Sequence, residues 1–317
     1  MQTRQQFETS AIVQQVLFSN NIFVFSSEKG KKGVTDTNAQ RLKNQVTKPE
    51  DIKIHKNYNI WTGKGGASDV DLDSKETREL ADIFLNPTGI EFGRSAHGGR
   101  SHRLYRVLDL DKKKHTRSAF TFRDSATDNT IIELRAHNHY TMCAGTYDDA
   151  DTAIFNKAEK PTEITYDQLH KQVAMLGLAS IILRKARISN PHNMFYKCIA
   201  STLMQYKISE TDAELIFDAV LAKANCPNCK LSERKAQLRS AYKRDEKALT
   251  TGLPTILKTW KWSVNEQEDF KKLMYAVTGR HTLPLETNKF VKQVVYMKKQ
   301  NKYYDLQDKE MYVSEVI

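Results

Sequence analysis

The chain has 317 residues, and its 49 Lys+Arg against 38 Asp+Glu leave a formal net charge of +11, with 39% of residues hydrophobic. Those figures exclude a wholly disordered chain and allow about two domains, each with its own core. The longest apolar stretches fall short of the ~20 residues of a membrane span, the polar start Met1–Ser10 lacks the apolar core of a signal peptide, and four cysteines do not make a disulfide framework, so a cytoplasmic protein with no membrane partner is expected.

Taken in chain order, the first half alternates short β-type runs with helical ones. Ile22–Phe25 reads as a strand, and Glu28–Lys32 as a solvated turn. Gly63-Lys64-Gly65-Gly66 lacks the Gly-x4-Gly-Lys-Ser/Thr order of a phosphate loop and reads as a flexible turn into the strand Ser68–Asp73. A helix follows over Ser74–Phe84, with Ser74 as its N-cap, Leu80, Ile83 and Phe84 at helical spacing, and Asn86-Pro87 as its stop. Ile90–Phe92, Leu104–Leu108, Ala119–Phe122 and Thr130–Leu134 read as further strands, and Lys112–Lys114 as a solvated turn. From Thr165 the period changes to helical: Gln168–Lys185, Asn193–Gln205, Glu210–Ala224, Ser232–Leu249 and Glu266–Val277, with Ser209 or Thr211, Ser232 and Ser263 as start signals. Val291–Met297 and Lys302–Leu306 read as the beginning of a strand-containing element. The expected class is α+β, divided into a mixed α/β domain over 1–162, an all-helical bundle over 163–262 and a tail or lead-in over 263–317. The excess of eleven positive charges is compatible with a polyanionic partner but does not establish one.

Ser68-Asp69-Val70-Asp71-Leu72-Asp73 carries the most chemistry. In an extended strand Asp69, Asp71 and Asp73 share one face, while Val70 and Leu72 point to the other. Three crowded carboxylates repel one another and raise their own pKa values unless cations neutralise them, and hard oxygen ligands suit Mg²⁺ or Mn²⁺. A helix-loop-helix calcium loop also begins Asp-x-Asp-x-Asp, but it needs Gly at its sixth position and Glu at its twelfth, where this chain has Ser74 and Leu80.

Two later segments follow in order: Phe92-Gly93-Arg94-Ser95-Ala96-His97-Gly98-Gly99-Arg100-Ser101-His102-Arg103-Leu104-Tyr105, then Ile131-Ile132-Glu133-Leu134-Arg135. Together with the acidic strand they resemble the bifunctional primase-polymerases of the archaeo-eukaryotic primase superfamily, found in plasmid and phage replication proteins. The resemblance implies an RRM-like catalytic domain, with Asp71 and Asp73 as the acid-x-acid pair, Glu133 as the third acid, and Asp69 as an extra or substitute ligand. It implies two Mg²⁺ or Mn²⁺ ions on Asp71, Asp73 and Glu133. It implies nucleotide binding by His102 and Ser101 with Arg94, Arg100 and Arg135. Where many members have a Pro-Pro-Ser turn, this chain has Ala144-Gly145-Thr146, so Thr146 is the hydroxyl offered to the phosphates. Asn193–Leu203, Ser209–Ala224, Arg239–Tyr242 and Thr251–Thr255 resemble the helical domain that follows the catalytic one, and Val295–Leu306 resembles the lead-in to a replicative helicase domain. The implied activity is template-directed nucleotidyl transfer on single-stranded DNA, from NTPs or dNTPs, to make and extend primers.

Two other classes compete. His137-Asn138-His139 with Tyr303 or Tyr304 suggests a rolling-circle nicking initiator, but Asn sits between the histidines in an expected turn. A non-catalytic DNA-binding replication module requires the acidic strand to have no chemical role. Cys226-Pro227-Asn228-Cys229 supplies half of a zinc site with no second pair nearby, only Cys198 and His192 at a distance, so structural zinc is not expected.

Overall fold

The computed structural model describes residues 13–27, 42, 44–48, 51–52, 56–115, 117–123, 128–146, 151–189, 193–224, 230–244, 252–260, 262–279, 294–297, 302–305 and 311–313. The Lys-rich stretch Glu28–Lys32, His192 and the Cys226–Cys229 pair lie outside the described residues, as do the side chains of Tyr303 and Tyr304. The architecture is α+β: one large, mainly antiparallel sheet and several helices. Among the described residues no helix is long and apolar enough to cross a membrane.

The strands of the large sheet are β1 (Val24–Ser27), β2 (Gln45–Val46), β3 (Asn57–Trp61), β4 (Ala67–Asp71), β5 (Ile90–Arg94), β6 (His102–Val107), β7 (Arg117–Arg123), β8 (Asp128–Arg135), β9 (Tyr140–Thr146), β10 (Thr152–Ala158) and β11 (Thr162–Ile164). They run in the order β2-β1-β3-β9-β10-β5-β6-β4-β8-β7, and β11 adds in parallel to β6. Between β4 and β5 the chain crosses over through α1 (Lys75–Phe84), so β6 fills the place between two parallel strands. Ser74 caps α1 as expected, its hydroxyl accepting from the Thr77 amide at 3.2 Å. Leu80, Ala81 and Phe84 are buried beneath that helix, whereas Ile83 faces solvent.

The helices after β11 are α2 (Tyr166–Ser189), α3 (Asn193–Gln205), α4 (Glu210–Lys223), α5 (Leu231–Tyr242), α6 (Leu253–Trp260) and α7 (Val264–Val277). Ser209 caps α4, and Ser263 forms a full capping box with Glu266 on α7. Ser232 does not cap α5; that position belongs to Lys230, which offers no side-chain bond. The long helix α2 is apolar around most of its circumference because it packs against α1, β8, α4 and α7. Gly177 makes this possible, since a Cβ there would stand 2.8 Å from Leu273 of α7 and 3.2 Å from Ile132 of β8. One apolar core therefore runs from Val70, Leu72, Tyr105 and Leu134 under the sheet, through Val173 and Leu176, into Phe195, Ile216 and Phe270 of the helices. Helix α7, which heads the segment read as a tail, packs on α2 and β7. Further on, β12 (Val294–Met297), β13 (Lys302–Asp305) and β14 (Met311–Val313) form a separate three-stranded antiparallel sheet, which places strands in both runs read as such near the end of the chain.

The other face of the large sheet has its own core. Ile90, Phe92 and Leu104 pack there against Val24, Tyr58, Ile60 and Cys143, so the β1-β3-β9 part of the sheet turns over onto the β5-β6-β4 part. The fold leaves a cleft of about 380 Å³ beside this core, where β4 ends and β6 begins.

Candidate metal centre

Cross-strand register assembles the floor of the cleft. β4 is central, and its last residue, Asp71, lies opposite His102 of β6 on one side and Glu133 of β8 on the other; one step back along the face, Asp69 lies opposite Arg135. Beyond Asp71 the backbone stays tied to both neighbours. The Leu72 amide donates to the Ser101 carbonyl at 2.7 Å and the Ser74 amide to the Ile131 carbonyl at 3.1 Å. Held in this way, Asp73 turns its carboxylate to the other two acids, and one oxygen from each of Asp71, Asp73 and Glu133 falls within 4.8 Å of the others. Asp71 and Glu133 are buried, and Asp73 stands exposed at the rim.

Asp69 does not join them. It is fully buried, with Oδ2 3.1 Å from His102 Nδ1 and 3.6 Å from Arg135 Nη1, so it supports the site from below in place of the ligand role expected for it. Thr141 of β9 also approaches Nδ1, at 3.3 Å, and the Phe92 ring stacks on the imidazole at 5.0 Å with planes 10° apart. With Nδ1 engaged, Nε2 is the nitrogen left for a ligand. Arg135 donates to Asp71 at 2.5 Å and to Glu133 at 2.9 Å, so its guanidinium is held by the carboxylates.

The charges of this group explain its titration. Burial drives the Asp71 pKa upward against the pull of His102 and Arg135. Loss of hydration and the neighbouring charge of Asp71 push Asp73 up to about 7. Burial works against a charged His102, but Asp71 and Asp69 outweigh it and raise its pKa. Burial likewise opposes the charge on Arg135, and Asp71, Asp69 and Glu133 overcome it and raise its pKa. Four carboxylates thus face one guanidinium and one imidazolium, which leaves two negative charges uncompensated when all are ionised. An all-oxygen set with that residual charge fits a divalent hard cation. Asp71, Asp73 and Glu133 could hold a metal ion.

The remaining residues expected at the site separate into two groups. Arg94 and Ser101 line the cleft with His102 and Arg135. Arg94 also pairs with Asp151 at 3.1 Å, and Ser101 approaches Gly93 so closely that a Cβ on that glycine, at φ 143°, would meet the Ser101 hydroxyl at 2.0 Å. Arg100 and Thr146 are not among the lining residues. Arg100 turns outward to Asp82 at 3.0 Å, and the backbone of Thr146 exchanges hydrogen bonds with the Asn57 side chain at 2.9 and 3.0 Å. Of the two histidines in the nicking pattern, His139 lines the cleft, while His137 packs against the Gly63 turn; Asn138 between them has φ 55°, so the pair does not point into one site.

Sequence reading missed Arg78, His97, Thr141 and Asn59 as lining residues. Arg78, one turn into α1, donates to the carbonyls of Leu72 at 2.8 Å and Asp73 at 3.0 Å and so fixes the chain that carries Asp73. A basic residue shortly after an acidic strand was the available signal. His97 has its pKa lowered by burial and by Arg78 and Arg94, and among the described residues its buried Nδ1 has no hydrogen-bond partner. Thr141 and Asn59 carried no signal, because their place in the cleft depends on β3 and β9 folding over the sheet. No protein-family model matches the chain, and no curated protein matches its sequence.

Proposed function

We propose that this chain is a primase-polymerase that joins nucleotides on a single-stranded DNA template. The observation that carries the reading is the convergence of Asp71, Asp73 and Glu133, 62 residues apart in sequence at the extremes, within 4.8 Å beside His102. The strand order β5-β6-β4-β8, with α1 crossing from β4 to β5, supports an RRM-like catalytic domain. Divalent ions bound at the acids, Mg²⁺ or Mn²⁺, supply charge neutralisation and a more acidic 3′-hydroxyl. The chain's own groups do the rest. Asp71, Asp73 and Glu133 hold the ions; Asp69 and Phe92 orient His102 so that Nε2 can donate to a phosphate oxygen; Arg94 and Arg78 offset the charge of the triphosphate. The primer's 3′-hydroxyl gives its proton to water as its oxygen bonds to the α-phosphorus, the bond from that phosphorus to the α–β bridging oxygen breaks, and pyrophosphate leaves. Under this reading the helical region holds template or initiating nucleotide, and a replicative helicase domain is the natural partner.

The test is incubation with single-stranded DNA, labelled NTPs or dNTPs and Mg²⁺ or Mn²⁺, with Asp71→Ala/Asp73→Ala as the control. Metal-dependent product from the wild type alone supports the proposal. Equal, negligible product from both, with DNA binding unchanged by the substitutions, supports a non-catalytic DNA-binding module, and a covalent tyrosyl-DNA adduct supports a nicking initiator.

A further inference from the structure

Asn59 is fully buried, yet it lines the cleft. It stands on β3 beside Met142 of β9, and its Nδ2 donates to the Ser27 hydroxyl of β1 at 3.0 Å. Ser27 is not a lining residue, so that bond anchors the amide away from the cleft. Among the described residues, Oδ1 has no hydrogen-bond partner. A buried amide oxygen without a donor is costly, on the order of 1–3 kcal/mol, and folded proteins retain few of them without a use. With Nδ2 on Ser27, the atom left over is an acceptor, so the partner it lacks is a donor.

The layout of the cleft narrows what the missing donor is. The acids form its floor, Arg78, Arg94 and His97 lie on the α1 and β5 side, and Asn59 with Tyr140 and Met142 lies on the β3 and β9 side. With phosphates over the acids and toward the arginines, the β3–β9 wall is the part of the lining that remains for the sugar. We infer that Asn59 is the residue that reads the sugar, its Oδ1 accepting a hydrogen bond from the 2′-hydroxyl, and that the cleft therefore prefers ribonucleotides. This rests on the assignment of the cleft to a nucleoside triphosphate. A site with an acceptor waiting for a hydroxyl discriminates against the analogue that lacks it, because the buried oxygen then stays unpaired.

The test is binding, measured without turnover. Wild-type protein with Mn²⁺ is titrated with ATP, dATP and 2′-fluoro-2′-deoxy-ATP, the last having a substituent of similar size that cannot donate. ATP is expected to bind about ten-fold tighter than either analogue. Asn59→Ala, whose folded state is checked by its thermal transition, is expected to bring the three affinities within about two-fold of one another; their ratio is independent of the fraction folded. Equal affinities in the wild type, or tight binding of the fluoro analogue, overturn the role of Asn59 while leaving the nucleotide site intact. No binding of any of the three overturns the nucleotide assignment itself, and the role of Asn59 with it. Should Asn59→Ala not fold, the fluoro analogue on the wild type decides the matter alone.

Discussion

The two faces of β4, β6 and β8 are made by the same backbone and have opposite chemistry. Toward the helices, Val70, Leu72, Tyr105, Ile132 and Leu134 are buried among apolar side chains of α1 and α2. Toward the cleft, Asp69, Asp71, His102 and Glu133 are nearly as well buried, but among charges. Burial stabilises the first face, at roughly 25 cal/mol per Å² of apolar surface. On the second it costs solvation that ion pairs return only in part, as the raised pKa values of Asp71 and Asp73 record. The apolar face holds the strands in register, and the polar face uses that register to keep like charges together.

Substitutions on the two faces should therefore fail in different ways. The largest expected effect is on the polar side. Asp71→Ala/Asp73→Ala removes two of the three acids that converge; under the proposed function nucleotide incorporation is expected to fall on the order of 10³-fold or more, with Mn²⁺ binding by calorimetry lost and the fold retained by circular dichroism. Retained metal binding in that variant would mean the ion sits elsewhere.

On the apolar side, Leu72→Ala and Leu134→Ala each open a cavity at a fully buried position and should destabilise the protein by about 2–5 kcal/mol in urea titration. Metal affinity of the protein that remains folded should be unchanged, and a parallel loss would show that the two faces are coupled more tightly than their side chains suggest.

A smaller effect comes from pH. Metal must displace the proton from Asp73, whose pKa is about 7, so Mn²⁺ affinity is expected to be about ten-fold weaker at pH 6 than well above pH 7. An affinity flat across that range would place Asp73 outside the ligand set.

The smallest effect reverses the usual sign. Asp73 titrates higher in the folded chain than its ordinary 3.8, so its ionisation opposes folding progressively from about pH 4 to pH 7 and fully above that. Asp73→Asn should raise the metal-free stability at pH 8, by about 1 kcal/mol or less because the group is exposed and screened, and should change nothing below pH 4. A loss of stability at pH 8 would show that the carboxylate makes a net favourable contact in the folded chain.

Local pattern made much of this readable in advance. The alternation in Asp69–Asp73 separates the two faces of β4, the cap at Ser74 starts α1, and the capping box at Ser263 starts α7, all because such signals act over a few residues. The acidic strand stood out by itself, whereas His102 and Glu133 joined Asp71 and Asp73 as one expected site only through the resemblance that the ordered motifs carry.

Other assignments needed the tertiary structure. Sequence could not say that Asp71 stands opposite both His102 and Glu133, since register between strands 31 and 62 residues apart is set by packing on both faces at once. For the same reason Asp69, equivalent to Asp71 by alternation, lies under the site with His102 in place of a ligand position. Arg100 and Arg78 exchange their expected importance because reach depends on where α1 docks, which leaves Arg100 with Asp82 and brings Arg78 to the carbonyls of Leu72 and Asp73. Composition and periodicity alone determined an α+β chain with one acidic strand face in a basic protein. Only the folding of β3 and β9 over that face decided which neutral residues, Thr141 and Asn59 among them, complete the cleft, because contacts between distant segments leave no periodic trace in the chain.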